Sequence, residues 1–140
     1  MITIKTSEEI AILREGGKKL AQILEKIKTV AKPGVTTKEL DRLAESLILS
    51  VGGKPAFKGY RLAGNEKNVP PYPATLCTSV NDEIVHSIPS GRALKEGDII
   101  GLDIGMTYKG LVTDMAATIG VGMIDASKQR VSDVTKKALA

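Results

Sequence analysis

Asp103, Asp114, His86 and Cys77 are the residues of this sequence whose types and spacing could do chemistry. The two aspartates lie in residues 97–122, GDIIGLDIGMTYKGLVTDMAATIGVG. Leu102, Ile104 and Met106 alternate there with Gly101, Asp103 and Gly105. Further on, Thr113, Met115, Ala117 and Ile119 alternate with Val112, Asp114, Ala116 and Thr118. A period of two predicts a β-hairpin with strands over 99–106 and 111–119, turned at Lys109-Gly110. Asp114 then opposes Gly105 and sits diagonal to Asp103, at the roughly 7–8 Å of diagonal neighbours on one face. Two ionised carboxylates sharing a face repel and lose hydration, and a divalent cation or a metal pair between them relieves both effects. The plainer alternative is a wet face on which neither aspartate is special.

His86 is the only histidine. Residues 75–80 read as a strand, Asn81-Asp82 as a turn and 83–87 as the return strand, with His86 near its end before a proline-stiffened loop. An imidazole there could serve as an acid, a hydrogen-bond donor or a ligand, or simply as a polar strand end. Cys77, the only cysteine, is either a small buried group or a pocket wall. A thiol nucleophile facing His86 across that hairpin is a lesser option, because no acid is supplied to orient the histidine.

The elements that must position these residues come earlier in the chain. Thr6 and Glu9 form a capping box for a helix to about residue 31, with Ile10, Leu13, Gly17, Leu20, Leu24, Ile27 and Ala31 as its buried stripe. Gly16-Gly17 weakens that helix and lets another backbone approach. Pro33-Gly34 ends it. Thr36 and Glu39 cap a second helix to about residue 51, with Leu40, Leu43, Leu47 and Val51 inward and Gly52-Gly53 as its stop. Both helices read as cover for a sheet. Residues 54–74 hold four of the six prolines together with Phe57, Tyr60 and Tyr72. They read as a loop whose aromatics either line a pocket or pack on the core. Residues 91–97 connect to the hairpin, 123–130 read as loop, and a last helix is expected from about Ser132. The sequence stops within that element, which gives the expectation of a fragment.

One domain with a modest core fits 140 residues. Four aromatics argue against a stacking surface for single-stranded nucleic acid. The net charge of +4 comes from scattered residues without a basic run, so no specific nucleic-acid partner is expected. No apolar segment approaches the length of a membrane span, and the N-terminus lacks a signal-type run. A cytoplasmic location is the expectation. Walker, HExxH and dinucleotide-binding patterns do not occur.

The runs YPATLCTSVNDEIVHSIPS and LKEGDIIGLDIGMTYKGLVTDMAATIGVG resemble the first half of a type I methionine aminopeptidase. The resemblance implies an α/β (α+β) fold: the N-terminal half of a pita-bread architecture, an antiparallel sheet covered by helices. It also implies that residues 1–140 are a partial aminopeptidase domain without the second half of the fold. The activity implied is two-metal hydrolytic removal of the initiator methionine from nascent polypeptides, so the partners are N-terminal methionyl peptides. By the same resemblance Asp103 and Asp114 are metal ligands, with Asp114 bridging both ions, and the ions are Mn, Fe, Co or Zn. His86 matches the histidine that hydrogen-bonds near the scissile amide. Tyr72 and Cys77 match the methionine side-chain pocket, with Phe57 and Tyr60 at its mouth.

The family's remaining ligands, a histidine and two glutamates, have no counterpart here, so the isolated chain is expected to be weak or inactive. Ser87 stands where the family has glycine, with its side chain expected toward substrate space. The 61–71 loop looks longer than the common bacterial form. Two alternatives stand beside this reading: a non-catalytic binding module on the same fold, and a half-domain that self-associates or joins the missing half.

Overall fold

The computed structural model describes residues 4–61 and 69–139. Its element order is α1 (Ser7–Val30), α2 (Thr37–Ser50), β1 (Lys54–Pro55), β2 (Leu76–Val80), β3 (Ile99–Tyr108), β4 (Leu111–Gly120) and α3 (Ala126–Leu139). β3 is the centre of an antiparallel sheet. β4 pairs along its whole length on one side, while β1 and β2 share the other side in succession.

The hairpin forms as its alternation predicts, each strand running slightly further than expected. Lys109 (φ 48°) and Gly110 (φ 84°) both take the left-handed conformation of a tight hairpin turn. Leu102, Ile104 and Met106 are fully buried on one face of β3. They meet Leu20, Leu24 and Ile27 of α1 and Leu40, Ala44 and Ile48 of α2 in one core. Asp103 and Gly105 point to the opposite face. Burying each such aliphatic side chain contributes about 1.5–3 kcal/mol, and that face-by-face division holds the sheet's polar side outward.

Both helix starts carry complete capping boxes, Thr6 with Glu9 and Thr36 with Glu39. The buried stripes are rotated slightly from the expected ones. In α1 Gly16 and Ile23 are buried, whereas Ile10 is exposed. A Cβ on Gly16 would sit 3.4 Å from Tyr108 Cβ and 3.6 Å from Thr113 Cγ2, so this glycine does bring the helix close to the hairpin. In α2 Ala44 and Ile48 join Leu40 at the core, and Leu43, Leu47 and Val51 flank it.

Three expectations are corrected. Residues 83–87 are not a strand, although among the described residues β2 has its side away from β3 free of any ladder. Glu83 turns back to accept the Val80 N–H at 2.8 Å, and His86 adopts φ 57°, which breaks an extended run. Two backbone contacts of the expected hairpin remain, Glu83 N–H to Val80 O at 3.2 Å, which closes the turn, and Thr78 N–H to Ser87 O at 3.0 Å. The last helix starts at Ala126 rather than near Ser132. Asp125 caps it, its carboxylate accepting from Lys128 N at 2.9 Å. The 54–74 segment opens with the two-residue β1, paired to Thr107 and Met106. Most of the expected long loop, residues 62–68, lies outside the described residues.

Candidate active site

The hairpin register places Asp114 opposite Gly105 and Asp103 opposite Ala116. The aspartates are therefore diagonal neighbours on the outward face. On the other side of β3, Cys77 is the direct partner of Asp103. One open cavity of about 940 Å³ is lined by Phe57, Tyr60, Tyr72, Cys77, His86, Asp103 and Asp114, all seven of the side chains singled out from the sequence. A second cavity of about 550 Å³ continues along the same face between β3–β4 and α3, and His86 and Asp103 border both.

Each wall has an identifiable support. Asp41 on α2 accepts the N–H groups of Thr75 (2.8 Å) and Leu76 (3.0 Å), fixing the start of β2 and hence Cys77. Tyr60 and Tyr72 are tied through their backbones, Tyr72 N–H donating to Tyr60 O at 3.0 Å. Phe57 lies over Gly105. A Cβ at Gly105 would come within 2.6 Å of Phe57 Cε1 and 3.1 Å of Ala56 Cβ. Gly105 thus leaves the room into which the aromatic ring packs beside Asp114.

The electrostatics of the face are unfavourable to paired negative charge. Burial, then the neighbouring Asp114 charge, push the Asp103 carboxyl above its ordinary range, with His86 pulling weakly the other way. Burial likewise raises Asp114. Among the described residues, no hydrogen bond lowers either one. Burial also raises the Cys77 thiol, which touches the Tyr72 hydroxyl, and this disfavours a thiolate nucleophile.

Two carboxylates of this kind, without a hydrogen-bond partner among the described residues, fit one side of a hard-cation site. Among the described residues, no group of three or more His, Cys, Asp or Glu side chains could hold an ion. The two carboxylates would thus supply part of the donor set that a metal centre needs.

Cys77 and His86 line the same cavity, though not as facing strands of a hairpin. Ser87 borders neither cavity, contrary to the expectation that its side chain faces substrate space. Its φ also lies outside the left-handed region, so the serine imposes no backbone strain there. Sequence reasoning missed Gly105 and Asp41. An isolated glycine inside a strand was the available signal for a close approach. Asp41 carried no local signal, since its partners lie more than thirty residues away.

Residues 11–140 match the family model for metallopeptidase family M24. The chain is 42% identical over 139 residues to methionine aminopeptidase 1 of Bacillus subtilis, covering 99% of this chain and 52% of that protein. Among solved structures, the methionine aminopeptidase of Thermotoga maritima superposes with a TM-score of 0.87 at 37% identity, over 98% of this chain and 52% of the other. That of Rickettsia prowazekii gives 0.87 at 33%, over 99% and 52%. The chain thus spans about half the length of the relatives it matches, and the shared architecture is the pita-bread fold. On the match of its sequence and fold, this chain belongs to metallopeptidase family M24.

Proposed function

We propose that this chain supplies one half of the active site of a metal-dependent methionine aminopeptidase, which removes the initiator methionine from nascent polypeptides in the cytoplasm. The observation that carries the reading is the convergence of Asp103, Asp114, His86 and the Phe57–Tyr60–Tyr72–Cys77 wall on one cavity. The similarity to methionine aminopeptidases supports it.

In this reading the apolar wall takes the methionine side chain. Burying a thioether against aromatic rings favours its entry, and sulfur–aromatic contact adds to the gain. His86, at the cavity rim, donates a hydrogen bond to the peptide group next to the scissile bond and orients it. Asp103 and Asp114 would hold divalent cations, two of Mn, Fe, Co or Zn in the complete site. Such ions supply Lewis acidity toward a carbonyl and lower the pKa of water. With no third carboxylate grouped with Asp103 and Asp114 among the described residues, and a single histidine in the sequence, a complementary segment must bring the remaining ligands and the proton-transfer group. Two features support that need: among the described residues β4 pairs with β3 alone, and α3 has no buried side chain.

The test is hydrolysis of a Met-Gly-Met peptide by this chain, by a complementary half-domain taken from a similar aminopeptidase, and by the two together with Mn2+ or Co2+. Methionine release only from the pair is the expected outcome. An assembled, metal-loaded pair that releases no methionine sinks the proposal. A homodimer that binds metal without hydrolysis would instead support the self-associating half-domain.

A further inference from the structure

The Tyr72 hydroxyl sits between two main-chain carbonyls, 3.2 Å from Leu76 O and 3.2 Å from Ser87 O. A phenol has one proton to donate, and here two carbonyls compete for it with the Cys77 sulfur beside them. Ser87 O also accepts the Thr78 N–H at 3.0 Å. The Ser87 peptide is therefore held from two directions, by strand β2 and by the cavity wall. The tyrosine itself springs from a fixed corner: its N–H donates to Tyr60 O at 3.0 Å, and its carbonyl accepts from Gly59 N at 2.8 Å.

His86 immediately precedes this anchored peptide. Its φ of 57° is a left-handed conformation that is uncommon for residues with a side chain, though histidine tolerates it better than most. The flanking residues give little apolar anchorage, since Ile84, Val85 and Ile88 are all mostly exposed. The direction of the imidazole thus depends on the peptide that follows it.

We propose that Tyr72 is a positioning residue whose hydroxyl fixes the Ser87 peptide and thereby aims His86 into the cavity. The role deepens the function proposed above and rests on His86 acting there. The anchoring geometry can be measured without any activity. A wall residue alone would need only the ring, which phenylalanine keeps.

Because His86 is the sole histidine, its imidazole Cε1–H gives one unambiguous carbon–proton NMR signal. In Tyr72→Phe, at fixed pH, that signal shifts or splits. The Thr78 amide, relieved of a fixed partner, exchanges roughly tenfold faster, as loss of one hydrogen bond allows. Tyr108→Phe removes a hydroxyl bonded instead to Glu15 and leaves both readouts where they were. An unchanged His86 signal and unchanged Thr78 exchange in Tyr72→Phe overturn the proposal.

If Tyr72→Phe does not fold, the unaltered chain decides the matter. A Tyr72 hydroxyl proton that exchanges with water as fast as an exposed phenol contradicts the anchor, and one in slow exchange supports it. In the reconstituted pair Tyr72→Phe lowers kcat and leaves KM nearly unchanged, because the ring still walls the pocket. Absence of hydrolysis by the unaltered pair would defeat the aminopeptidase reading while leaving the NMR result intact.

Discussion

Cys77 and Asp103 are register partners across the β2–β3 ladder, so a thiol and a carboxylate enter one cavity from directly opposed backbone positions. Asp114 approaches the same space from the other side, one diagonal step along β4. The central strand therefore gathers a neutral wall and an acidic face at a single point.

The acidic face has a pH signature in the metal-free chain. Both carboxyls titrate above their ordinary range because of burial, with Asp114 adding to Asp103. A raised carboxyl binds its proton more tightly in the folded chain than in the unfolded one. The stability it contributes is present below the unfolded pKa and is lost as pH rises through the folded one. Asp103→Asn and Asp114→Asn should each stabilise the chain at pH 7, by roughly 0.2–1 kcal/mol, the scale of like-charge pairs in sheets. That advantage should shrink toward pH 3. Thermal unfolding of the three proteins between pH 3 and 7 checks this, and equal Tm values throughout would refute it.

Gly105→Ala tests the packing beneath the pocket. The added methyl meets the Phe57 ring and Ala56, so either the ring or the strand must move. Overpacking of this kind costs about 1–3 kcal/mol. Urea unfolding reads the loss, and the Phe57 ring resonances should shift with it. A variant as stable as the parent, with Phe57 unmoved, would show that the space above Gly105 is not needed.

Asp41→Ala removes one acceptor that serves two backbone donors, Thr75 and Leu76. Hydrogen bonds to a charged group are worth about 1.5–3 kcal/mol, so a loss within or somewhat above that range is expected. Asp41→Asn retains an acceptor oxygen and should recover a large part of it. Cys77 should also react faster with a thiol reagent in Asp41→Ala, because the start of β2 loosens. Unchanged thiol reactivity would separate Asp41 from the cavity wall.

The central hairpin was legible because burial on one face writes its period directly into the sequence. Leu102, Ile104 and Met106 against Asp103 and Gly105 determine the face, and Lys109-Gly110 determines the register. The capping boxes were equally legible, since Thr and Glu three residues apart act locally. Residues 83–87 misled because Ile84 and Val85 have strand-like chemistry but lie mostly exposed, outside any ladder. Among the described residues the edge of β2 away from β3 was free, but Glu83 turns back onto the Val80 N–H and the left-handed His86 breaks the extended run. The acidic face followed from alternation, whereas the meeting of Tyr72 with Ser87 depends on how distant segments fold together.

The central claim is that Asp103 and Asp114 form a cation-binding face, and paramagnetic broadening by Mn2+ in the isotope-labelled chain tests it most directly. Signals of Asp103, Asp114 and Gly105 should fade first as Mn2+ is added, followed by Cys77 across the ladder. The double variant Asp103→Asn with Asp114→Asn should abolish that fading. Broadening that starts instead at Glu96 or Asp125, with Asp103 and Asp114 still sharp, would contradict the account.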